Sequence, residues 1–237
     1  MKDFDNQHLP RVIAIDGPAA SGKTTVGLML ADVLNYLFLD TGLMYRALTL
    51  ASIRRGIDPG DDVALTALAK AIDLDVLPRG DTSDGRHYTV ILDGEDVTWD
   101  IRLPAVDAAV SQVSAFPEVR AEMVRRQRAF GERGRVVMVG RDIGTVVMPD
   151  APLKLYITAS PEERARRRLL DRQRQGQNDD LDAILADIVR RDEIDSTREH
   201  SPLRPAGDAL IVDTTDRSAD LVLHDILTRL NLSSEPA

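Results

Sequence analysis

The chain has 237 residues and a mass of 26.1 kDa, enough for one substantial core with a small inserted lobe and short for two full domains. Its 43% hydrophobic and 29% charged residues contain no long apolar run, which disfavours both a disordered chain and a transmembrane helix. A net charge of −9 argues against a nucleic-acid binder that relies on a general positive field, and the lack of cysteine rules out disulfides and thiolate metal sites. Residues 1–10 are polar and acidic, so no signal peptide is expected and a cytoplasmic location is.

In chain order, Val12 to Ile15 is a short apolar run followed by a Gly-rich loop, and Thr24 to Leu34 has apolar residues at helical spacing. Leu37 to Leu39 predicts a second buried strand, which leads through Asp40-Thr41-Gly42 into a helix from about Leu43 to Arg55, ended by Gly56. Leu65 to Ile72 continues helically. From Leu74 to Val97 the pattern changes to short segments such as Tyr88 to Leu92 between Asp, Gly and Ser turns, and Asp93-Gly94 is a strong hairpin signal. A small antiparallel insert fits.

Helical patterns resume over Leu103 to Val113 and Pro117 to Phe130, with Pro117 suited to a first turn. Val136 to Val139 is an apolar run ending in Gly140-Arg141-Asp142, and Leu153 to Ile157 and Leu210 to Val212 are read in the same way as core strands. Pro161 to Gln175, Leu181 to Glu193 and Ser218 to Leu230 predict helices. Alternating strands and helices with continuous apolar strands imply an α/β fold with a doubly wound parallel sheet.

Gly17-Pro18-Ala19-Ala20-Ser21-Gly22-Lys23-Thr24 fits the P-loop pattern, in the strand-to-helix setting the motif requires. Its glycines let backbone N–H groups curl around phosphate oxygens, and the first helical turn, through Thr25, adds unpaired amides and the positive dipole end. Lys23 then reaches the β and γ phosphates, and the Thr24 hydroxyl meets Mg²⁺. A nucleoside triphosphate and Mg²⁺ are thus expected, with Asp16 and Asp40 as weak candidates for holding metal-bound water. The motif does not choose a reaction. A guanine-reading Asn-Lys-x-Asp motif is absent, because none of the four lysines follows an asparagine, and that disfavours a GTPase switch.

Only those four of the 30 basic residues are lysine; the rest are arginine, whose planar fork suits bidentate phosphate contacts. A GC-rich genome would produce the same bias, so position carries more than number. Bringing two charged phosphate groups together requires several cations. Candidates are Arg46, Arg141, the helical series Arg164, Arg166, Arg167, Arg168, Arg172 and Arg174, and then Arg191 and Arg198. Most single helical arginines are solvated surface charges. Arg141 differs, since it follows a predicted parallel strand at the carboxyl end, where open α/β sheets place their ligand crevice.

From about Arg11 to Leu232 the chain resembles the bacterial cytidylate kinases among the P-loop nucleoside monophosphate kinases. The matching segments are Ile15 through Thr24, Leu39-Asp40-Thr41-Gly42 with Tyr45-Arg46, Ser111-Gln112-Val113, Phe116-Pro117, Val119-Arg120 and Arg126-Gln127-Arg128. Gly140 through Val147 and Arg191-Asp192 with Asp195 and Arg198 complete them. The resemblance implies a five-stranded parallel P-loop sheet, a β-rich insert over the monophosphate and an arginine-bearing helical lid. It further implies that Ser111, Arg120 and Asp142 read cytosine, Arg191 and Asp195 the ribose, and Arg46, Arg141 and Arg198 the acceptor phosphate. Thr41, Tyr45 and Gly140 would line the same pocket. Thr41 stands where serine is common in the family.

The expected reaction is therefore transfer of the γ phosphoryl of ATP to CMP or dCMP, with Lys23, Arg141 and Arg198 in the catalytic roles. Arg164, Arg167, Arg168 and Arg172 would act from the lid. The expected organisation is an extension 1–10, a core 11–73 and 103–232 with the lid at about 161–193, an insert 74–102 and a tail 233–237. Gly176, flanked by Gln175, Gln177 and Asn178, would be the lid tip. A monomer without nucleic-acid or membrane partners is expected. The alternatives are another P-loop kinase acting on UMP or a metabolite, or a noncatalytic or RNA-associated NTPase.

Overall fold

The computed structural model describes residues 9–78, 80, 82–174, 176–177 and 179–230. Most of the expected extension 1–10, the tail 233–237 and, at the lid tip, Gln175 and Asn178 lie outside the described residues. The chain runs β1 (Val12–Asp16), α1 (Lys23–Leu34), β2 (Leu37–Asp40), α2 (Gly42–Arg54), α3 (Asp62–Ala71), β3 (Leu74–Pro78), β4 (Tyr88–Leu92) and β5 (Glu95–Asp96). It continues with α4 (Pro104–Val113), α5 (Pro117–Gly131), β6 (Val136–Val139), β7 (Leu153–Thr158), α6 (Pro161–Arg174), α7 (Leu181–Thr197), β8 (Leu210–Asp213) and α8 (Ala219–Arg229). The fold is α/β, built on a five-stranded sheet of order β2-β6-β1-β7-β8, and β1 pairs parallel with β6 and β7, as β7 does with β8.

Two compact units emerge: residues up to Tyr36 together with those from Arg135 form one, and Leu37–Gly134 form the other. The expected insert 74–102 falls inside the second, which extends beyond it at both ends.

In the first unit, β1 is flanked by a strand on each edge and is buried along its whole length, which is why its sequence is a continuous apolar run up to Asp16. Its register sets Ile13 beside Val137 on one edge and Leu153 on the other. Lys154 interrupts the apolar character of β7. Its stem is buried while its Nζ reaches out to both Asp208 oxygens at 2.9 and 2.8 Å, so burial of the methylenes outweighs the charge. Helices α6 and α7 pack through Ala165, Ile184 and Ile188. The Asp180 carboxylate accepts from Ala183 N at 3.0 Å and starts α7, which continues past Glu193 to Thr197.

In the second unit, the Asp40 carboxylate accepts from Gly42 N at 3.0 Å and sets the entry to α2. The hairpin between β4 and β5 turns on Asp93 and Gly94 with φ of 51° and 83°, both in the left-handed region that a tight two-residue turn demands. Arg126, matched above only by resemblance, acts as a clamp: its guanidinium bonds Glu122 at 2.7 Å and donates to the carbonyls of Ala69 and Ile72 at 3.0 and 3.1 Å. It thus satisfies carbonyls left open at the end of α3. Sequence periodicity did not anticipate two short helical turns, a 3₁₀ turn at Asp100–Arg102 and a π turn at Ile143–Val147.

Candidate functional site

The nucleotide loop is built by backbone conformation. Gly17, Ala20 and Gly22 have φ of 146°, 58° and 89°, so the chain coils tightly between β1 and α1. Lys23, the first residue of α1, bends back so that its Nζ donates to the Pro18 carbonyl at 2.5 Å, with Ser21 Oγ at 3.5 Å. Thr24 follows at the second helical position. The far side of the loop is held from two elements. Thr214, just past β8, donates its hydroxyl to the Ser21 carbonyl at 3.0 Å, and Arg164 in α6 donates to the Ala19 carbonyl at 3.3 Å.

The expected lid arginines divide by what they touch. Arg164 is 3% exposed and also donates to the Ala159 carbonyl and to both Asp192 oxygens at 3.1 and 2.5 Å, so it anchors α6, α7 and the loop together. Replacing Arg164 by Met is expected to lower stability by about 2–3 kcal/mol, because Asp192 loses a bidentate partner while remaining partly solvated. A denaturant midpoint shifted at constant m checks this. Arg167 donates to Glu163 at 2.7 Å and to the Thr214 hydroxyl and carbonyl at 3.0 and 2.6 Å. Arg172 pairs with Asp179 at 2.9 Å across the tip of the helical hairpin.

Arg167 borders two cavities. One of about 500 Å³ is lined by Gly22, Thr25, Thr214, Arg217 and Val222, and one of about 400 Å³ by Ala20 through Thr25 with Asp171 and Arg174. Both are of ligand size. Thr214 and Arg217 were missed from sequence, although they follow the carboxyl end of a parallel strand, the position that had singled out Arg141.

Beyond β6, Arg141 donates to Asp195 at 3.0 Å, and Arg198 approaches the same carboxylate at 3.5 Å while donating to the Ser201 carbonyl at 2.6 Å. Burial works against the charge of Asp195, but Arg141 and Arg198 outweigh it and hold the group below the usual carboxylate range. Burial, with Arg168 and Arg141 nearby, pushes Arg191 down to about 10. Arg168 and Arg141 thus stand near Arg191 with Asp187 and Asp195, and Asp187 also accepts from Arg190 at 2.5 Å, a concentration of guanidinium groups that suits a phosphate.

Asp142 is buried beside this cluster, and Gly140 closes β6 by donating its N–H to the Ile15 carbonyl at 2.9 Å. Asp16 was a weak metal candidate, but its two oxygens accept from Ile143 N and Gly144 N, each at 2.7 Å. Burial lifts its pKa to about 6 against the pull of those two amides.

The remaining predicted residues lie in the second unit. Arg120 is 4% exposed, donates to the Ser114 carbonyl at 3.1 Å and stands 5.4 Å from the Tyr45 ring centroid, a cation–π distance. Arg46 donates to the Ile101 carbonyl at 3.0 Å and to Asp107 at 2.5 Å. Thr41 is buried at the start of α2, and the Ser111 carbonyl accepts from Ser114 Oγ at 3.2 Å.

A family model described as Cytidylate kinase matches residues 13–232. Similar curated proteins include the cytidylate kinase of Roseiflexus castenholzii, 51% identical over 93% of this chain and 94% of that protein. That of Chloroflexus aggregans is 52% identical over 86% of each. Among solved structures, an uncharacterized protein from Eubacterium ventriosum aligns with a TM-score of 0.50 at 14% identity, over 94% of this chain and 99% of that one, a likeness of fold alone. At this identity and coverage to its curated relatives, the chain belongs to the cytidylate kinase family.

Proposed function

We propose that the protein transfers the γ phosphoryl of ATP in line to the monophosphate of CMP or dCMP, giving ADP and CDP or dCDP. The observation that carries this reading is the coiled loop Gly17 through Thr25 with Lys23 folded against it, in a chain half identical to proteins named cytidylate kinase. ATP phosphates are assigned to that loop and to the 400 Å³ cavity, and its nucleoside to the 500 Å³ cavity beside Thr214 and Arg217.

We assign the acceptor phosphate to Arg46, Arg141 and Arg198, the ribose to Arg191 and Asp195, and the base to Ser111, Arg120 and Asp142, with Thr41, Tyr45 and Gly140 alongside. A carboxylate accepts from the exocyclic amine of cytosine and an arginine donates to its ring acceptors, a pairing that uracil partly reverses. No strong general base is required, since a phosphate with a second pKa near 6 is largely ionised at neutral pH. Lys23, Arg141, Arg198, Arg167, Arg168 and Arg172 act by position and charge.

Among the described residues, no group of three or more His, Cys, Asp or Glu could hold a metal ion. The Thr24 hydroxyl, at the second position of α1 beside the loop, is a donor that fits Mg²⁺, an ion that keeps several waters and takes the rest of its shell from nucleotide phosphates. Bound there, the ion neutralises charge on the β and γ phosphates. The net charge of −9 supports small nucleotides rather than nucleic acid as substrates, and we take the working form to be a cytoplasmic monomer. No helix of the described residues is long and apolar enough to cross a membrane.

ADP formation with MgATP and CMP, dCMP, UMP, AMP or no acceptor tests the reading: turnover confined to the cytidine nucleotides is expected, and acceptor-independent hydrolysis would overturn it. With Asp142→Ala, the preference for CMP over UMP in kcat/KM should fall by about ten- to a hundredfold while ATP affinity stays unchanged. An unaltered preference removes Asp142 from the base site.

A further inference from the structure

We infer that Asp16 is a positioning residue for the acceptor, a carboxylate clamp that fixes the turn carrying Arg141 and Asp142 to the root of the phosphate loop. The inference rests on the reading of Arg141 and Asp142 as acceptor-binding residues. Asp16 is the last residue of β1, directly before Gly17, and it is only 4% exposed. One oxygen accepts from Ile143 N and the other from Gly144 N, both at 2.7 Å, a length typical of charge-assisted bonds. Two consecutive peptide planes are thereby set by one side chain that cannot rotate without losing both.

The same turn is fixed from its other end. The Asp142 carbonyl accepts from Val146 N at 2.9 Å and Val147 N at 3.1 Å, closing the π turn Ile143–Val147. Amides at the start of such a turn lack partners within it, and Asp16 supplies them. The peptide plane that follows Asp142 is therefore held twice, through the Ile143 N–H by Asp16 and through the Asp142 carbonyl by the turn, which fixes the backbone on the C-terminal side of Asp142.

Gly144 leaves room for the Lys154 stem beside the clamp. A Cβ there would stand 3.1 Å from Lys154 Cδ and 3.4 Å from Asp16 Oδ2. The Lys154 stem thus roofs the contact and keeps water from competing for the two amides. With an amide on each oxygen and almost no exposed surface, Asp16 is committed to the turn.

The test compares wild type with Asp16→Asn, whose single amide oxygen can accept only one of the two N–H groups and whose NH₂ opposes the other. Loss of a charge-assisted bond should raise the KM for CMP about tenfold or more and lower the preference for CMP over UMP. The affinity for an ATP analogue without acceptor should change less than about twofold. Gly144→Ala, whose Cβ would crowd the Lys154 stem at 3.1 Å and so push on the turn that Asp16 holds, should raise the KM for CMP in the same direction without changing the ATP analogue's affinity. Should Asp16→Asn fail to fold, Gly144→Ala decides the matter by the same readout.

In wild type, NMR should also show the Ile143 and Gly144 amide protons shifted downfield and slow to exchange, and in Asp16→Asn they should lose both properties. An unchanged KM and preference, or equal losses for ATP and CMP, overturns the positioning role, the second outcome marking a merely structural one. Protected amides in a wild-type protein that ignores CMP would instead locate the failure in the acceptor reading, with the clamp intact.

Discussion

Replacing Lys23 by Met is expected to cut turnover with ATP and CMP by about 10²- to 10³-fold while leaving the fold and CMP affinity intact. Lys23 is the one lysine of the loop, buried against it with its Nζ on the Pro18 carbonyl at 2.5 Å. In the proposed reaction it places a fixed charge where negative charge gathers between the β and γ phosphates. In a site shielded from water such a charge acts without reorganisation, which is why removing a single group of this kind has effects of that size. Met keeps the length and apolar body of the side chain, so the packing of α1 survives. Steady-state kcat with calorimetric CMP affinity checks the prediction, and an undiminished kcat would take Lys23 out of the transition state.

Gly17→Ala should act through the backbone and should be strongly damaging. A Cβ at Gly17 would stand 1.9 Å from the Ile157 carbonyl oxygen, on the neighbouring strand β7, and the residue's φ of 146° is one that L side chains rarely adopt. Neither the clash nor the strain can be relieved by a rotamer, because both partners are backbone. Overpacking and strained φ each cost about 1–3 kcal/mol, and a total of about 3 kcal/mol is a large share of the roughly 5–15 kcal/mol that holds a domain together. A loss of roughly 10 °C in thermal midpoint follows, together with loss of ATP binding as the loop is pushed off β7. A variant with the melting temperature and ATP affinity of wild type would show that the loop has room that the geometry denies.

Several features were legible because the signal is local. The nucleotide loop follows from the spacing of Gly17, Gly22, Lys23 and Thr24 between an apolar run and a helical one. The Asp93-Gly94 hairpin follows from two residues that tolerate positive φ. Helices α2, α4 and α5 came out within a residue or two of their expected bounds, because periodicity and proline mark their ends. By contrast, Lys154 lies inside a run read as wholly apolar, and only its route to Asp208 explains how a strand accommodates it. The π turn after Asp142 has no sequence signature, since it arises where Asp16 captures two amides more than a hundred positions away along the chain.

The arginines show the same division. Sequence identified the helix that carries Arg164, Arg167, Arg168 and Arg172 and the chemistry a guanidinium offers, but did not assign each one. Arg164 became a buried anchor because Ala19, Ala159 and Asp192 converge on it, Arg167 the boundary of two cavities because Thr214 meets it, and Arg172 a tie across the hairpin. By itself the sequence determined the α/β class, the phosphate loop and its triphosphate chemistry, because these depend on glycine conformations and periodicities spanning a few residues. Tertiary structure alone decided strand order, which backbone and carboxylate groups each arginine meets and which amides Asp16 binds. Those outcomes depend on which distant backbone groups compete for the same charged atom once the strands lie side by side.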